Sequence, residues 1–145
     1  MNTFFFQAAT LEEAPLLYKW RQDPLTQRMS LQQHEISYEQ HLSWLQKVLT
    51  DPERSLFIFY DAQKKPLGTL RLDLKEEGKE ISWTLAPENR GRGLGKQMLQ
   101  AFLNQFPGTY IAWVKKENIA SQKMCEAAGF KRLREQSDLY YYKFS

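Results

Sequence analysis

The stretch Arg90-Gly91-Arg92-Gly93-Leu94-Gly95-Lys96 constrains this chain more than any other. Three glycines stand among three cations, after a strand-like run from Glu80 to Leu85 and before a helix-like run from Lys96 to Phe106. Glycines let backbone come close to a ligand, and the first N–H groups of a helix point outward into the positive end of its dipole. A strand, a Gly-rich turn and a helix in that order therefore form an anion cradle. Two common phosphate motifs fail on spacing. A P-loop needs Ser or Thr after its lysine, and Lys96 is followed by Gln97. A dinucleotide fingerprint needs its third glycine one residue later, where Lys96 stands.

The chain has 145 residues, enough for one domain with a real core and few for two. The expectation is a single domain over 1–145. A hydrophobic content of 42% with 14% aromatic residues excludes disorder. The formal charge of +3 comes without a strongly basic run, so nucleic acid is not an expected partner, and the Arg90, Arg92 and Lys96 cluster suits a small polyanion better. Cys125 is the only cysteine, which removes internal disulfides and cysteine-built zinc sites, and no metal is expected. The apolar run Phe4-Phe5-Phe6 is too short for a signal peptide, and no stretch has membrane-spanning length. The expectation is a soluble cytoplasmic protein, monomer or homodimer.

Along the chain, Thr3 to Ala9 reads as an aromatic first strand. Thr10-Leu11-Glu12-Glu13 is a capping box, predicting a helix to about Arg21, and Asp23-Pro24 reads as its stop. Residues 22–35 are polar and irregular, the place for a substrate-specific wall. Ser37-Tyr38-Glu39-Gln40 opens a helix to about Leu49, with Tyr38, Leu42, Leu45 and Leu49 on one stripe and His41, Trp44 and Val48 on a second. Three strands follow, Ser55–Tyr60, Leu67–Leu74 and Lys79–Leu85, the last alternating Glu80, Ser82 and Thr84 against Ile81, Trp83 and Leu85. After the glycine-led helix come a short apolar strand, Tyr110 to Val114, and a helix over 118–128 between Asn118 and Gly129. A hairpin, Lys131–Glu135 with Leu139–Phe144, closes the chain.

Arg90, Gly93 and Gly95 meet the pattern Arg/Gln-x-x-Gly-x-Gly/Ala, which resembles the acyl-CoA pyrophosphate loop of the GNAT N-acetyltransferase superfamily. Asn118-Ile119-Ala120-Ser121 with Ala128-Gly129-Phe130 resembles the same family's Asn-x-x-Ser/Ala … Gly-Phe segment, and the element order resembles its fold over the whole chain. The resemblance implies an α/β (α+β) fold with a mixed, mostly antiparallel central sheet flanked by helices. It implies acetyl-CoA as donor and a primary amine as acceptor. The segment from Trp20-Arg21-Gln22-Asp23-Pro24 through Arg28 and Ser30 to His41-Leu42-Ser43-Trp44 is similar to the branch that acetylates nucleotide-linked amino sugars, including the pseudaminic-acid-pathway enzymes. A protein or peptide amine, or a CoA-binding module without turnover, are the alternatives.

Acetyl transfer from a thioester needs a held donor, a neutral amine, relief for the oxyanion and departure of a thiolate. The resemblance places the pyrophosphate on Arg90, Gly91, Arg92, Gly93, Leu94, Gly95 and Lys96. It runs the pantetheine arm beside Leu85, Ala86 and Pro87, and gives further donor contacts to Asn118, Ser121 and Lys123. A backbone N–H near Thr84 or Leu85 would face the oxyanion. Glu80 is the expected base, on a polar face with Arg71 and Asp73 of the neighbouring strand, and His34 and His41 are its rivals. Arg28, His41, Trp44 and Arg71 are the expected acceptor contacts. Many relatives carry tyrosine where this chain has Cys125, so the thiolate acid is open among water, Tyr140, Tyr141 and Tyr142.

Overall fold

The computed structural model describes residues 4–31 and 35–145. Among the described residues seven segments become strands: β1 (Phe5–Ala8), β2 (Arg54–Tyr60), β3 (Pro66–Lys75), β4 (Gly78–Leu85), β5 (Tyr110–Lys115), β6 (Lys131–Gln136) and β7 (Leu139–Phe144). They form one sheet in the order β1-β2-β3-β4-β5-β7-β6. Among the described residues only β4 and β5 pair in parallel; every other pairing is antiparallel. The mixed α/β fold expected from the sequence is the one observed.

Strand alternation sends Leu70, Leu72, Ile81, Ala112 and Tyr142 to one face of the sheet. There α4 (Leu94–Gln105) and α5 (Ile119–Ala128) cover them with Met98, Leu99, Phe102 and Cys125. Phe102 is fully buried and meets Phe6, Phe57, Phe106 and Tyr110 ring to ring. Burying one such ring is worth about 1.5–3 kcal/mol, which anchors α4 and with it the loop that precedes it. Gly95 is where α4 and α5 come closest, since a Cβ there would stand 2.8 Å from the Met124 sulfur. On the other face α1 (Ala14–Arg21) and α3 (Tyr38–Thr50) pack Leu17, Trp20, Leu45 and Val48 onto Leu56 and Ile58 of β2. This second core reaches no further than β2 and Ala86, so the polar faces of β3 and β4 border it without being roofed by it.

Two helical segments differ from the sequence expectation. The Thr10 capping box forms, but it caps a 3-10 turn over Leu11–Glu13, and the α-helix proper begins at Ala14. Asp23-Pro24 does end the first helix, at Arg21, but it also starts a further helix not expected from the sequence, α2 (Pro24–Met29). Asp23 is its N-cap, accepting from the Thr26 N–H at 3.0 Å, and Pro24 occupies the first turn, where a missing N–H costs nothing. Thr3 and His34 lie outside the described residues.

Candidate active site

The parallel pairing of β4 with β5 is brief. Lys79 faces Tyr110 and Glu80 faces Ile111, and then the strands diverge. Ile81–Leu85 and Ala112–Lys115 form the two sides of a wedge in the middle of the sheet. Sheet geometry decides which backbone groups look into it. The Ala86 N–H bonds Leu67 O on the β3 side at 2.9 Å, whereas the Lys79 N–H bonds Thr109 O on the β5 side at 3.3 Å. Alternation then turns the N–H groups of Ile81, Trp83 and Leu85 toward β5; the Glu80–Ile111 pairing commits that of Ile81 to Ile111 O, so those of Trp83 and Leu85 face the wedge, and those of Ser82 and Thr84 point toward β3. Unpaired peptide groups inside a sheet require a partner, and a ligand with amides of its own supplies one. Of the two oxyanion donors expected, Thr84 therefore points the wrong way, and only the Leu85 N–H is available.

The wedge opens toward the glycine loop. Gly91 and Gly93 have φ of 76° and 73°, left-handed values that favour glycine, and a Cβ at either would meet nothing within 4 Å. Inside α4 the first bond runs from the Gln97 N–H to Gly93 O at 3.2 Å, so the preceding N–H groups are left outward at the positive end of a 12-residue helix. The side chains of this loop are engaged with protein. Arg90 Nη2 lies 2.5 Å from Asp23 Oδ2 and donates to Thr26 Oγ1 at 2.8 Å. Arg92 Nη2 donates at 2.6 Å to Oδ1 of Asn89, a fully buried side chain whose Nδ2 donates to Leu67 O. The cradle is thus made of backbone, with Lys96 exposed beside it. Gly95, expected in the cradle, is buried between the helices.

Other expected donor contacts are also partly committed. Ala86 O and Pro87 O accept from the Asn89 and Arg90 N–H groups in a 3-10 turn; Ala86 is fully buried, so of the two only Pro87 has surface to offer, and that surface is apolar. Asn118 Oδ1 caps α5 through the Ser121 N–H at 3.1 Å, and its Nδ2 has no partner among the described residues. Ser121 Oγ accepts from Trp83 Nε1 at 3.0 Å, tying α5 to β4. Lys123 is exposed on α5.

On the α1/α3 face, register brings Arg71 opposite Ser82 and Asp73 opposite Glu80. Glu80 stands where the wedge closes, half-buried, and makes no ion pair among the described residues. Arg71 does not neutralise it: Asp73 takes both Arg71 (3.2 Å) and Arg54 (2.9 Å). Trp44 faces the same region, with the Arg21 guanidinium 4.4 Å from its ring centroid and that of Arg71 at 5.9 Å. His41 does not contact an acceptor as expected. It is fully buried; Nε2 donates to Ala14 O at 3.0 Å and Nδ1 accepts from Arg21 Nη1 at 3.2 Å. Burial holds its pKa below the usual histidine range, which keeps Nδ1 an acceptor. His41 thus orients Arg21. Arg28 is exposed and pairs with Glu117 at 3.2 Å.

The three tyrosines separate by face. Tyr141 shares the Glu80 face, opposite Trp113, with its hydroxyl donating to Glu77. Burial first and Glu77 second raise its pKa. Tyr142 bonds Glu126 on the helix side at 2.8 Å, and Tyr140 lies under Arg132. Cys125 is fully buried in the α4/α5 core, and that burial pushes its thiol up to about 12. We expect iodoacetamide at pH 8 to leave native protein unlabelled and to label it after denaturation. Rapid native labelling would contradict the packing role.

Arg21, Asn89 and Asp23 carry structure at the site and were given no role from sequence. For Asp23 the signal was present as an N-cap before Pro24. For Asn89 nothing in the sequence marks a side chain that becomes fully buried.

A sheet split between parallel strands, beside a backbone cradle at a helix start, is the arrangement that the resemblance to acyl-CoA-dependent acyltransferases implies. Residues 4–131 match the family model described as the acetyltransferase (GNAT) domain, and the chain belongs to that family. It is an N-acetyltransferase that takes its acetyl group from acetyl-CoA and passes it to an amine. No curated protein matches it. Among solved structures it is similar to a spermidine N-acetyltransferase from Vibrio cholerae in complex with CoA and spermine, with TM-score 0.87 at 17% identity over 97% of this chain and 94% of that one. An acetyltransferase from Thermus thermophilus gives 0.81 at 24% over 98% and 96%, and a domain from Methanocaldococcus jannaschii 0.81 at 20% over 99% of each. Among the described residues no group of side chains is arranged to hold a metal ion, and no helix is long and apolar enough to cross a membrane.

Proposed function

We propose that the acceptor is a small amine carrying a negative group, such as a nucleotide-linked amino sugar, and that acetyl-CoA lies in the β4/β5 wedge with its pyrophosphate on the N–H groups of residues 91–96. In this reading the pantetheine arm follows Leu85, Ala86 and Pro87, with Asn118 Nδ2 and Lys123 as further contacts. Glu80 takes the proton of the attacking amine through bridging water, since about 15 Å of strand separates it from the Leu85 N–H that stabilises the oxyanion. The C–S bond then breaks and the thiolate leaves, protonated from water.

One observation carries the acceptor half. Arg21 is partly desolvated, has no carboxylate partner among the described residues, and sits near a second cation, Arg71; burial first, and Arg71 second, lower its pKa. A cation held this way on an indole is stabilised by an incoming anion, and Trp44 offers a flat surface to a base or sugar. Spermidine, the substrate in the name of the Vibrio relative, is a polycation, and Arg21, which no carboxylate neutralises among the described residues, disfavours it. A peptide amine carries no such requirement for cations.

Thiol release from acetyl-CoA, measured with a UDP-linked amino sugar, spermidine and a peptide amine, separates these acceptors. The nucleotide-linked amine should give the highest kcat/KM, and a preference for spermidine would overturn the anionic-acceptor reading. No release with any of them, alongside intact CoA binding, would favour a module without turnover. Arg21→Gln and Trp44→Ala should each raise acceptor KM about tenfold, the scale of one charge-assisted or cation–π contact, with acetyl-CoA KM unchanged.

A further inference from the structure

Helix α2 is held at both ends by residues that flank the wedge. At its start, Asp23 and Thr26 are gripped by Arg90, which follows β4 and opens the glycine loop. At its end, Arg28 O accepts from Nζ of Lys115 at 2.9 Å, the last residue of β5 and itself buried. The Arg28 side chain reaches Glu117 just beyond. Six residues of helix span about 9 Å, close to two strand spacings, so α2 lies as a crossbar over the gap that opens when β4 and β5 part. It does so on the Lys115 face, the one that also carries Trp113, Glu80 and Arg71.

The Arg90–Asp23 contact is more than a surface ion pair. Asp23 is 17% exposed and Arg90 33%, and the Arg90 bond holds the Asp23 carboxyl below the usual carboxylate range. A single arginine bonds both the N-cap of α2 and the hydroxyl of its first turn. Arg90 also belongs to the motif by which the donor loop is identified, yet its guanidinium points away from the cradle and into the crossbar.

We infer that Arg90 is a positioning residue that couples the donor loop to α2, so that acetyl-CoA binding sets the wall the acceptor meets. The inference rests on the loop being the donor site. A ligand seated on the N–H groups of residues 91–96 restricts the loop, and the restriction passes through Arg90 to Asp23 and Thr26. Because coupling is reciprocal, an acceptor held against α2 also tightens donor binding.

Amide hydrogen exchange with CoA as the probe tests this in wild-type protein, Asp23→Asn and Arg90→Lys. Asparagine caps a helix about as well as aspartate, so Asp23→Asn keeps α2 and removes the charge pair. Lysine keeps the charge at position 90 and loses the planar fork that bonds Asp23 and Thr26 together. Wild-type protein should show slower exchange both at residues 91–97 and at residues 26–30 when CoA is added. Either variant should keep the loop protection and lose about tenfold of the added protection in α2, within the usual range of site-to-site coupling. Equal α2 protection in wild-type and Asp23→Asn, or a protected loop with unchanged α2 in wild-type, overturns the coupling. CoA binding that leaves residues 91–97 unprotected overturns the loop assignment itself, and the coupling with it.

Discussion

Gly93→Glu should abolish CoA binding while leaving the fold in place. Position 93 has φ of 73°, and a Cβ there meets nothing within 4 Å, so the substitution creates no clash. A non-glycine residue in the left-handed region costs about 1–2 kcal/mol, which a domain with two buried clusters tolerates. The effect on the ligand is larger. The open space beside Gly93 is the space the pyrophosphate would fill, and glutamate puts a negative charge into it. CoA affinity should fall at least 100-fold, about 2.8 kcal/mol, with a thermal midpoint lowered by only a few degrees. Calorimetric titration with CoA beside thermal denaturation checks both. Unchanged affinity in a folded variant would sink the loop assignment.

Glu80→Gln should reduce kcat by about 10²-fold to 10⁴-fold with little change in CoA affinity, the usual range for a lost general base. The position argues for it: Glu80 stands at the last β4/β5 pair, at the apex of the wedge, and Asp73 occupies the arginine that would otherwise neutralise it. Glutamine preserves shape and hydrogen bonding, so the loss isolates proton transfer. Whatever ionisation Glu80 adds to the pH–rate profile disappears in the variant. Normal turnover across the pH range would move the base to His34 or to bound water, because His41 is buried with both ring nitrogens bonded.

Much of the fold was legible because it depends on local patterns. The alternation in β4 set its two faces, and Pro107-Gly108 and Gly129 ended helices where expected. What escaped were features decided by contacts far apart in sequence. Asp23-Pro24 signals a helix stop and a helix start equally well, and the bond from Arg90, 67 residues away, lies in the part of the chain that a local pattern does not show. Thr84 and Leu85 look alike as oxyanion donors until the Ala86–Leu67 bond fixes which N–H faces the wedge. His41 sits on an apolar stripe, where a ligand-facing and a satisfied histidine have the same spacing. Only its bonds to Ala14 and Arg21 separate them. Gly95 shares a motif with Gly93, but what requires glycine there is the close approach of Met124, which only packing between the helices reveals.

The most direct test is a crystal structure with CoA bound. The pyrophosphate should accept hydrogen bonds from backbone N–H groups between Gly91 and Lys96, the pantetheine arm should run along Leu85, Ala86 and Pro87, and the sulfur should end beside the Leu85 N–H. CoA bound with its arm outside the β4/β5 wedge would contradict the account.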